Sequence, residues 1–410
     1  MPRTFLLLLC LLVLSCGKKE EVRTPTEPAP APAPTAAKTD DHHHQPGTVT
    51  TSKSGSGETT PKAEATETVP DKRPSRLITP VSLAVSKDET WAATCGGGFI
   101  DDKYKFGPLV LVWKLGDRAA SERQLSSKDL ELVGPIAFSA DGKKLAVLCK
   151  LKLIVWNLQD GSVVSVGNLP DKGFTVPDRI DFTPSGESVI VCAHDDLMSV
   201  RMSDGTVTIK SPKDAPVNLE SYYSPALNRV VDVRFEDQTP ILKMWDPGSD
   251  GQPKIVKLTG GATGSHAQYF VISGDGKSIA VCVGPLFGET KFRTSIHSTS
   301  DGKMIALLPE DDSADYRKYT KLALSNTGEY LAGIGSGGLN INFASLDLYR
   351  TSDGKRLVRN LKKEGSTEPL RFDLPTFTPD GKALLYYLTT NQSKKYLMKV
   401  DVATGKETAE

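Results

Sequence analysis

The sequence predicts an all-β fold in which one unit of short strands separated by turns occurs seven times, preceded by a disordered tether. Three observations carry this. A strand ending that runs into a turn signal recurs at intervals of 53, 44, 42, 48, 52 and 53 residues. A second series, an aromatic or apolar strand running into another turn, recurs in phase with it. The strands between the two are nearly continuous apolar runs, which is the pattern of strands buried on both faces.

Of the 410 residues, the first 15 read as a processing signal: Arg3 precedes an apolar run from Phe5 to Leu14. That run is too short to cross a bilayer, which takes about 20 helical residues. It ends in Val13-Leu14-Ser15-Cys16-Gly17, which resembles the lipobox of bacterial lipoproteins. The resemblance implies cleavage before Cys16, a diacylglyceryl group on its sulfur and acylation of the new α-amino group. The alternative is an ordinary secretory signal with an incidental cysteine. Gly17 rather than Asp after the cysteine implies, by the enterobacterial sorting rule, the outer membrane. Each buried methylene of an acyl chain contributes about 0.8 kcal/mol, so several chains on one cysteine anchor it essentially permanently.

Residues 16–75 read as the tether. Pro28-Ala29-Pro30-Ala31-Pro32-Ala33-Pro34 is a polyproline-like spacer, Thr48 to Gly57 is polar and Gly/Ser-rich, and almost nothing is aromatic or β-branched apolar, so there is no core to offset chain ordering. His42-His43-His44 lies inside it; three adjacent histidines without further ligands make a weak metal site.

Residues 76–410 carry the repeats, which begin near 76, 132, 174, 216, 266, 318 and 370. The unit is clearest from Gly134 to Gly161. A first strand ends in Phe138-Ser139-Ala140-Asp141-Gly142, where Asp-Gly predicts a tight hairpin. The apolar run Leu145–Cys149 and the strand Leu153–Trp156 come next, and Asp160-Gly161 turns the chain again. The same first-strand ending occurs at Val85–Glu89, Phe182–Gly186, Tyr223–Asn228, Ile272–Gly276, Leu324–Gly328 and Phe377–Gly381. The second series is Val112-Trp113, Val155-Trp156, Val200-Arg201, Met244-Trp245, Ile296-His297, Leu348-Tyr349 and Val400-Asp401.

This pattern resembles WD-repeat and surface-layer-type β-propellers, and the resemblance implies a seven-bladed β-propeller of four-stranded antiparallel blades. It departs from the WD signature in having a single Trp-Asp pair, Trp245-Asp246. After Thr404-Gly405-Lys406 only Glu407 to Glu410 remain. Residues near Thr68–Ile78 are therefore expected to complete the last blade, with Pro70 and Pro74 on its outer edge.

Lys+Arg and Asp+Glu both total 50, which argues against a nucleic-acid partner. Cys95, Cys149, Cys192 and Cys282 fall six or seven residues after a turn, at equivalent places on second strands. They read as buried core thiols, since disulfides between such positions would have to span too far. Gly333-Ile334-Gly335-Ser336-Gly337-Gly338 satisfies the dinucleotide-binding string. Leu339-Asn340-Ile341-Asn342-Phe343 after it alternates apolar and polar as a strand does, where that site requires a helix, so these glycines are expected to permit a loop. No nucleophile elbow and no zinc-helix motif occurs, and His194, His266 and His297 are isolated from one another in sequence. No cofactor and no metal site is expected.

In a meander the first-to-second and third-to-fourth turns share one face of the ring, and they are short here. Second-to-third loops and blade connections share the other face, where length varies: Gly96–Gly107, Gly284–Arg293, Gly335–Ser345, Thr389–Lys395, Pro309–Lys321 and Leu361–Leu374. Candidate binding residues there are Phe99, Asp101, Asp102, Tyr104, Phe106, Phe287, Glu289, Phe292, Arg293, Asn340, Asn342 and Phe343. The competing reading is that these side chains pack locally over the rim. The sequence thus points to a monomeric, non-catalytic scaffold that binds a protein or glycan in the cell envelope, in the periplasm or at the outer surface. It would be anchored in the membrane through acyl chains on Cys16. The alternative is a propeller enzyme, a lactonase-like hydrolase or a quinone-type dehydrogenase, with its site over the central channel.

Overall fold

Turn chemistry sets the period of the fold. At the end of every first strand one residue adopts a left-handed backbone: Glu89, Gly142, Gly186, Asn228, Gly276, Gly328 and Gly381. In the unit at Phe138 only the glycine is left-handed, and its N–H donates to Ser139 O at 2.9 Å. The turn is therefore a longer one closed by glycine, not the two-residue Asp-Gly hairpin, which needs both residues at positive φ. A hydroxyl secures it. Ser139 Oγ donates to Asp141 Oδ1 at 2.6 Å and accepts from the Lys144 amide at 2.9 Å. Ser86–Asp88, Ser273–Asp275 and Thr378–Asp380 repeat this module.

In the computed structural model the described residues are 77–410 apart from 101–104, 171–178, 194–195, 211–220, 248–251, 262–263, 265–266, 285–291, 310–316, 338–343, 361–370 and 391–393. The leader, Cys16, the tether and the candidate residues Asp101, Asp102, Tyr104, Phe287, Glu289, Asn340, Asn342 and Phe343 lie outside them, as do His194 and His266.

The strands form seven four-stranded antiparallel sheets, each in sequence order. Blade 1 is β1 (Leu77–Val85), β2 (Trp91–Phe99), β3 (Phe106–Lys114) and β4 (Arg123–Leu125), with a short helix α1 (Arg118–Ser121) before β4. Blade 2 is β5 (Val133–Phe138), β6 (Lys144–Cys149), β7 (Lys152–Asn157) and β8 (Val163–Asn168). Blade 3 is β9 (Ile180–Phe182), β10 (Ser188–Ala193), β11 (Asp196–Arg201) and β12 (Val207–Lys210). Blade 4 is β13 (Tyr222–Ser224), β14 (Arg229–Glu236), β15 (Thr239–Trp245) and β16 (Lys254–Lys257). Blade 5 is β17 (Ala267–Ile272), β18 (Ser278–Val283), β19 (Arg293–Ser298) and β20 (Met304–Leu307). Blade 6 is β21 (Arg317–Leu324), β22 (Tyr330–Gly337), β23 (Ala344–Arg350) and β24 (Arg356–Asn360). Blade 7 is β25 (Arg371–Phe377), β26 (Ala383–Thr389), β27 (Lys395–Asp401) and β28 (Glu407–Ala409).

First strands are innermost. β1 lies against β5, β5 against β9, β9 against β13, β17 against β21 and β21 against β25, and β25 returns to β1. This is an all-β, seven-bladed propeller, as the repeat spacing predicts. Seven hydrophobic clusters fill it, one between each pair of successive blades. The second strands supply both sides: all six residues of Ser278–Val283 are buried.

Ring closure differs from the expectation. Ile78 belongs to β1, the inner strand of blade 1, and the outer place in blade 7 is taken by β28 from the C-terminus. Four residues suffice because the outer strand needs only three pairs, Met398 with Ala409, Lys399 with Thr408 and Val400 with Glu407. The ring closes on side chains. Leu77, Leu83, Leu109, Leu111 and Trp113 of blade 1 pack on Leu385, Tyr387 and Leu397 of blade 7. The Tyr387 hydroxyl donates to Thr94 Oγ1 at 3.3 Å and the Thr376 hydroxyl to Leu83 O at 3.2 Å.

The aromatic series is also offset from the expectation. Strand pairing aligns Trp113, Trp156, Val200, Trp245, His297, Tyr349 and Val400, so Arg201 and Asp401 are not the counterparts of the tryptophans. The cysteines are buried and free. By the same pairing Cys95, Cys192 and Cys282 are in register, whereas Cys149 sits one residue further on. Alternation along a strand then turns Cys149 to the opposite face, so it shares the core between blades 1 and 2 with Cys95.

Candidate interaction face

The face of the second-to-third loops is uneven, and among the described residues blade 1 stands well above blade 2. β2 and β3 pair without interruption over nine residues each, out to Phe99 opposite Phe106. In blade 2 the corresponding hairpin stops at Cys149 opposite Lys152. Blade 1 therefore rises three residue pairs higher, about 10 Å at strand spacing. Glycines allow this. A Cβ on Gly96 would lie 2.1 Å from Thr79 O, and one on Gly97 would lie 2.6 Å from Thr79 Oγ1 and 2.8 Å from Phe106 Cζ.

Strand alternation places Phe99 and Phe106 on the side of Ala93 and Cys95, the side that packs on blade 2. Their rings meet edge to face with centroids 6.4 Å apart, and Phe106 keeps 58% of its surface exposed. The connection into blade 2 presents Leu132 at the same end, 67% exposed, and its carbonyl accepts from the Lys150 amide at 2.9 Å. Charged pairs border it: Lys152 to Asp129 at 2.5 Å and Lys150 to Glu131 at 3.9 Å. The hydrogen bond from Lys152 holds the Asp129 carboxyl below its ordinary range. The step between the blades is a notch whose higher side carries the aromatic pair, with exposed Leu132 and the two ion pairs at the same end of the lower side.

The channel mouth on this face is ringed by bulges. Pairing slips at the same depth in five inner strands, between Pro80 and Ser82, Val133 and Ile136, Ala267 and Tyr269, Tyr319 and Lys321, and Asp373 and Thr376. Each slip releases a residue from the ladder and re-aims the chain. Val81 is thereby left exposed, and Leu374 takes a φ of 54°. Lys321 of β21 bridges to Asp373 of β25 at 2.8 Å, linking blades 6 and 7 beside the mouth.

Among the remaining candidates, Phe292 packs against the core between blades 5 and 6, and Arg293 is half-buried at the start of β19. The glycine string is not a loop: Gly333, Ile334, Gly335, Ser336 and Gly337 lie in β22. A Cβ on Gly333 would lie 2.6 Å from the Tyr319 ring, so the glycines clear space for that ring. The Tyr319 hydroxyl then meets Asp347 Oδ2 at 3.2 Å and the Tyr349 hydroxyl at 2.7 Å. Burial, with the Asp347 charge nearby, pushes the Tyr319 hydroxyl well above its ordinary value.

Asp181 carries no signal in the sequence, and His297 reads there only as an isolated histidine. Asp181 on β9 is half-buried by area, yet its surroundings push its carboxyl up to about 7 against the pull of Arg179. His297 Nε2 accepts from Ser295 Oγ at 2.8 Å, and Nδ1–H donates to Gly302 O at 3.1 Å. That is the hydrogen-bond pattern of an activated serine, but both residues are fully buried. The pair is a structural lock. Among the described residues no group of three or more His, Cys, Asp or Glu converges to hold a metal.

No family model and no curated protein matches the chain. Among solved structures it is similar to the β-propeller domain of Cps50 (Swd1) from Myceliophteria thermophila. The TM-score is 0.55 at 16% identity, over 82% of this chain and 98% of that one. The shared property is the fold.

Proposed function

We propose that the protein is a non-catalytic scaffold that binds a protein partner on the notch of blades 1 and 2, held at the cell envelope by acyl chains on Cys16. The observation that carries the binding reading is the step itself. A rigid, hydrogen-bonded hairpin lifts Phe99 and Phe106 above the neighbouring blade, next to an exposed Leu132. Exposed aromatic and aliphatic anchors rimmed by charged pairs are the anatomy of a protein-binding hot spot. The propeller neighbour is compatible with a scaffold role, and the lipobox-like Val13–Gly17 carries the anchor.

The test combines Phe106→Ser with Leu132→Ser, followed by in-cell cross-linking and recovery of partners from the envelope fraction. The cross-linked species of the parent should disappear while the melting temperature is unchanged, because both side chains face solvent. Retention of the same species would remove the notch from consideration. Cys16→Ser should release the protein from the membrane fraction.

A further inference from the structure

The outer strands of blades 4, 5 and 6 combine exposed aliphatic side chains with basic residues in or beside each strand, in a chain that is electrically neutral as a whole. They read Lys-Ile-Val-Lys at 254–257, Met-Ile-Ala-Leu at 304–307 after Lys303, and Arg-Leu-Val-Arg-Asn at 356–360 after Lys355. None contains a carboxylate. On β20 Met304, Ile305 and Leu307 are each at least 40% exposed, and Ile255 on β16 and Leu357 on β24 are exposed on the outer strands of the adjacent blades. Lys254, Lys257 and Lys355 are exposed and make no ion pair among the described residues. Among the described residues, the carboxylates on the turns before β20 and β24 are paired: Asp301 with Lys303 at 3.4 Å and Asp353 with Arg350 at 2.5 Å.

We propose that this outer rim is a contact surface for an anionic lipid bilayer, with the aliphatic ridge of blade 5 entering the headgroup boundary and the flanking lysines reaching lipid phosphates. Aliphatic side chains between lysines are the composition of interfacial membrane binding. Protein interfaces, in contrast, favour Trp, Tyr and Arg and are depleted in lysine. A strand-adding peptide fits poorly, because the start of β20 is already paired: the Met304 amide donates to Thr259 O at 3.2 Å and the Thr259 amide to Gly302 O at 2.9 Å. A two-fold contact between copies would set lysines against lysines. The bilayer complements the charge and accepts the ridge. Edge-on seating also leaves both faces of the ring open, and the inference rests on the rim alone, not on the anchor or the notch.

The test is flotation of the full chain carrying Cys16→Ser, with vesicles of phosphatidylcholine alone or mixed with phosphatidylglycerol. All variants carry the same apolar leader, so differences among them report the rim. The parent should float with the anionic vesicles, and less so as salt is raised. Lys254→Glu with Lys257→Glu and Lys355→Glu should weaken partitioning about tenfold or more. Ile305→Ser with Leu307→Ser should weaken it on both salt regimes without changing the melting temperature. Equal flotation of parent and variants, or equal binding to neutral vesicles without salt dependence, would overturn the proposal. So would a dimer in light scattering that Ile305→Ser abolishes, since the ridge would then be a copy-to-copy interface.

Discussion

At the scale of single residues, backbone conformation separates positions that look alike in sequence. Glu89 holds the place that glycine fills in five other blades, at φ 61°. A side chain in that region costs about 1 kcal/mol, so Glu89→Gly should stabilise the fold by about that amount in urea unfolding. Gly302 is the opposite case. At φ 74° its added Cβ would stand 1.9 Å from the carbonyl oxygen of Lys257, the last residue of β16 in blade 4. Gly302→Ala should cost about 3 kcal/mol, since strain and a backbone clash act together. His297 supplies a pH signature. Burial depresses it below its ordinary 6.5, so the folded state keeps it neutral while the unfolded chain takes up a proton. Stability from this group is complete above about pH 6.5 and is lost as pH falls toward its folded value. His297→Gln should flatten that part of the stability-against-pH curve; an unchanged slope between pH 7 and 5 would assign the dependence elsewhere.

At the scale of elements, close approach explains what composition alone misassigns. Gly333 and the Tyr319 ring compete for the same space, so Gly333→Ala should destabilise by about 2 kcal/mol and Tyr319→Ala by a similar amount. The double variant should cost clearly less than the sum, because the new methyl enters the vacated ring space. Additive costs in a denaturation cycle would show that the ring is not what the glycine accommodates. This case marks the limit of legibility. The positions of the turns could be read because Asp-Gly marks a left-handed backbone, though not their type, which the Ser139 hydroxyl helps to set, and the buried second strands because two-sided burial leaves a continuous apolar run. Phe99 and Phe106 were readable as aromatics in a long insertion. Glycines mean either loop freedom or a close neighbour, and nothing local separates the two at Gly333. Leu132 carries no pattern at all: its exposure follows from where the connection enters blade 2. The Ser295–His297 contact depends on strand alternation bringing residues two apart onto one face and on a turn carbonyl from Gly302.

At the scale of the molecule, the seam between blades 7 and 1 shows how a ring can close without exchanging a strand. Every blade is a complete meander, so among the described residues no backbone ladder crosses the seam, and closure there rests on one apolar cluster with the Tyr387–Thr94 and Thr376–Leu83 hydrogen bonds. Closure was illegible in sequence because four terminal residues look too few for a strand, and only the three-pair register shows that they suffice. The C-terminus adds contacts at this seam. The Gly116 amide in blade 1 donates to Glu410 Oε1 at 2.7 Å, and the Glu410 amide donates to Leu397 O at 2.9 Å. Two truncations separate the modes of closure. A chain ending at Lys406 loses β28 together with the Glu410 bridge to blade 1, exposes β27 as a new edge and should melt about 5 °C lower or more. A chain starting at Ser75 loses Thr68–Pro74, which strand exchange would require, and should melt within about 1 °C of the parent. If the N-terminal truncation lowers the melting temperature as far as the C-terminal one, residues ahead of β1 contribute to the last blade and the side-chain seam is not the whole closure.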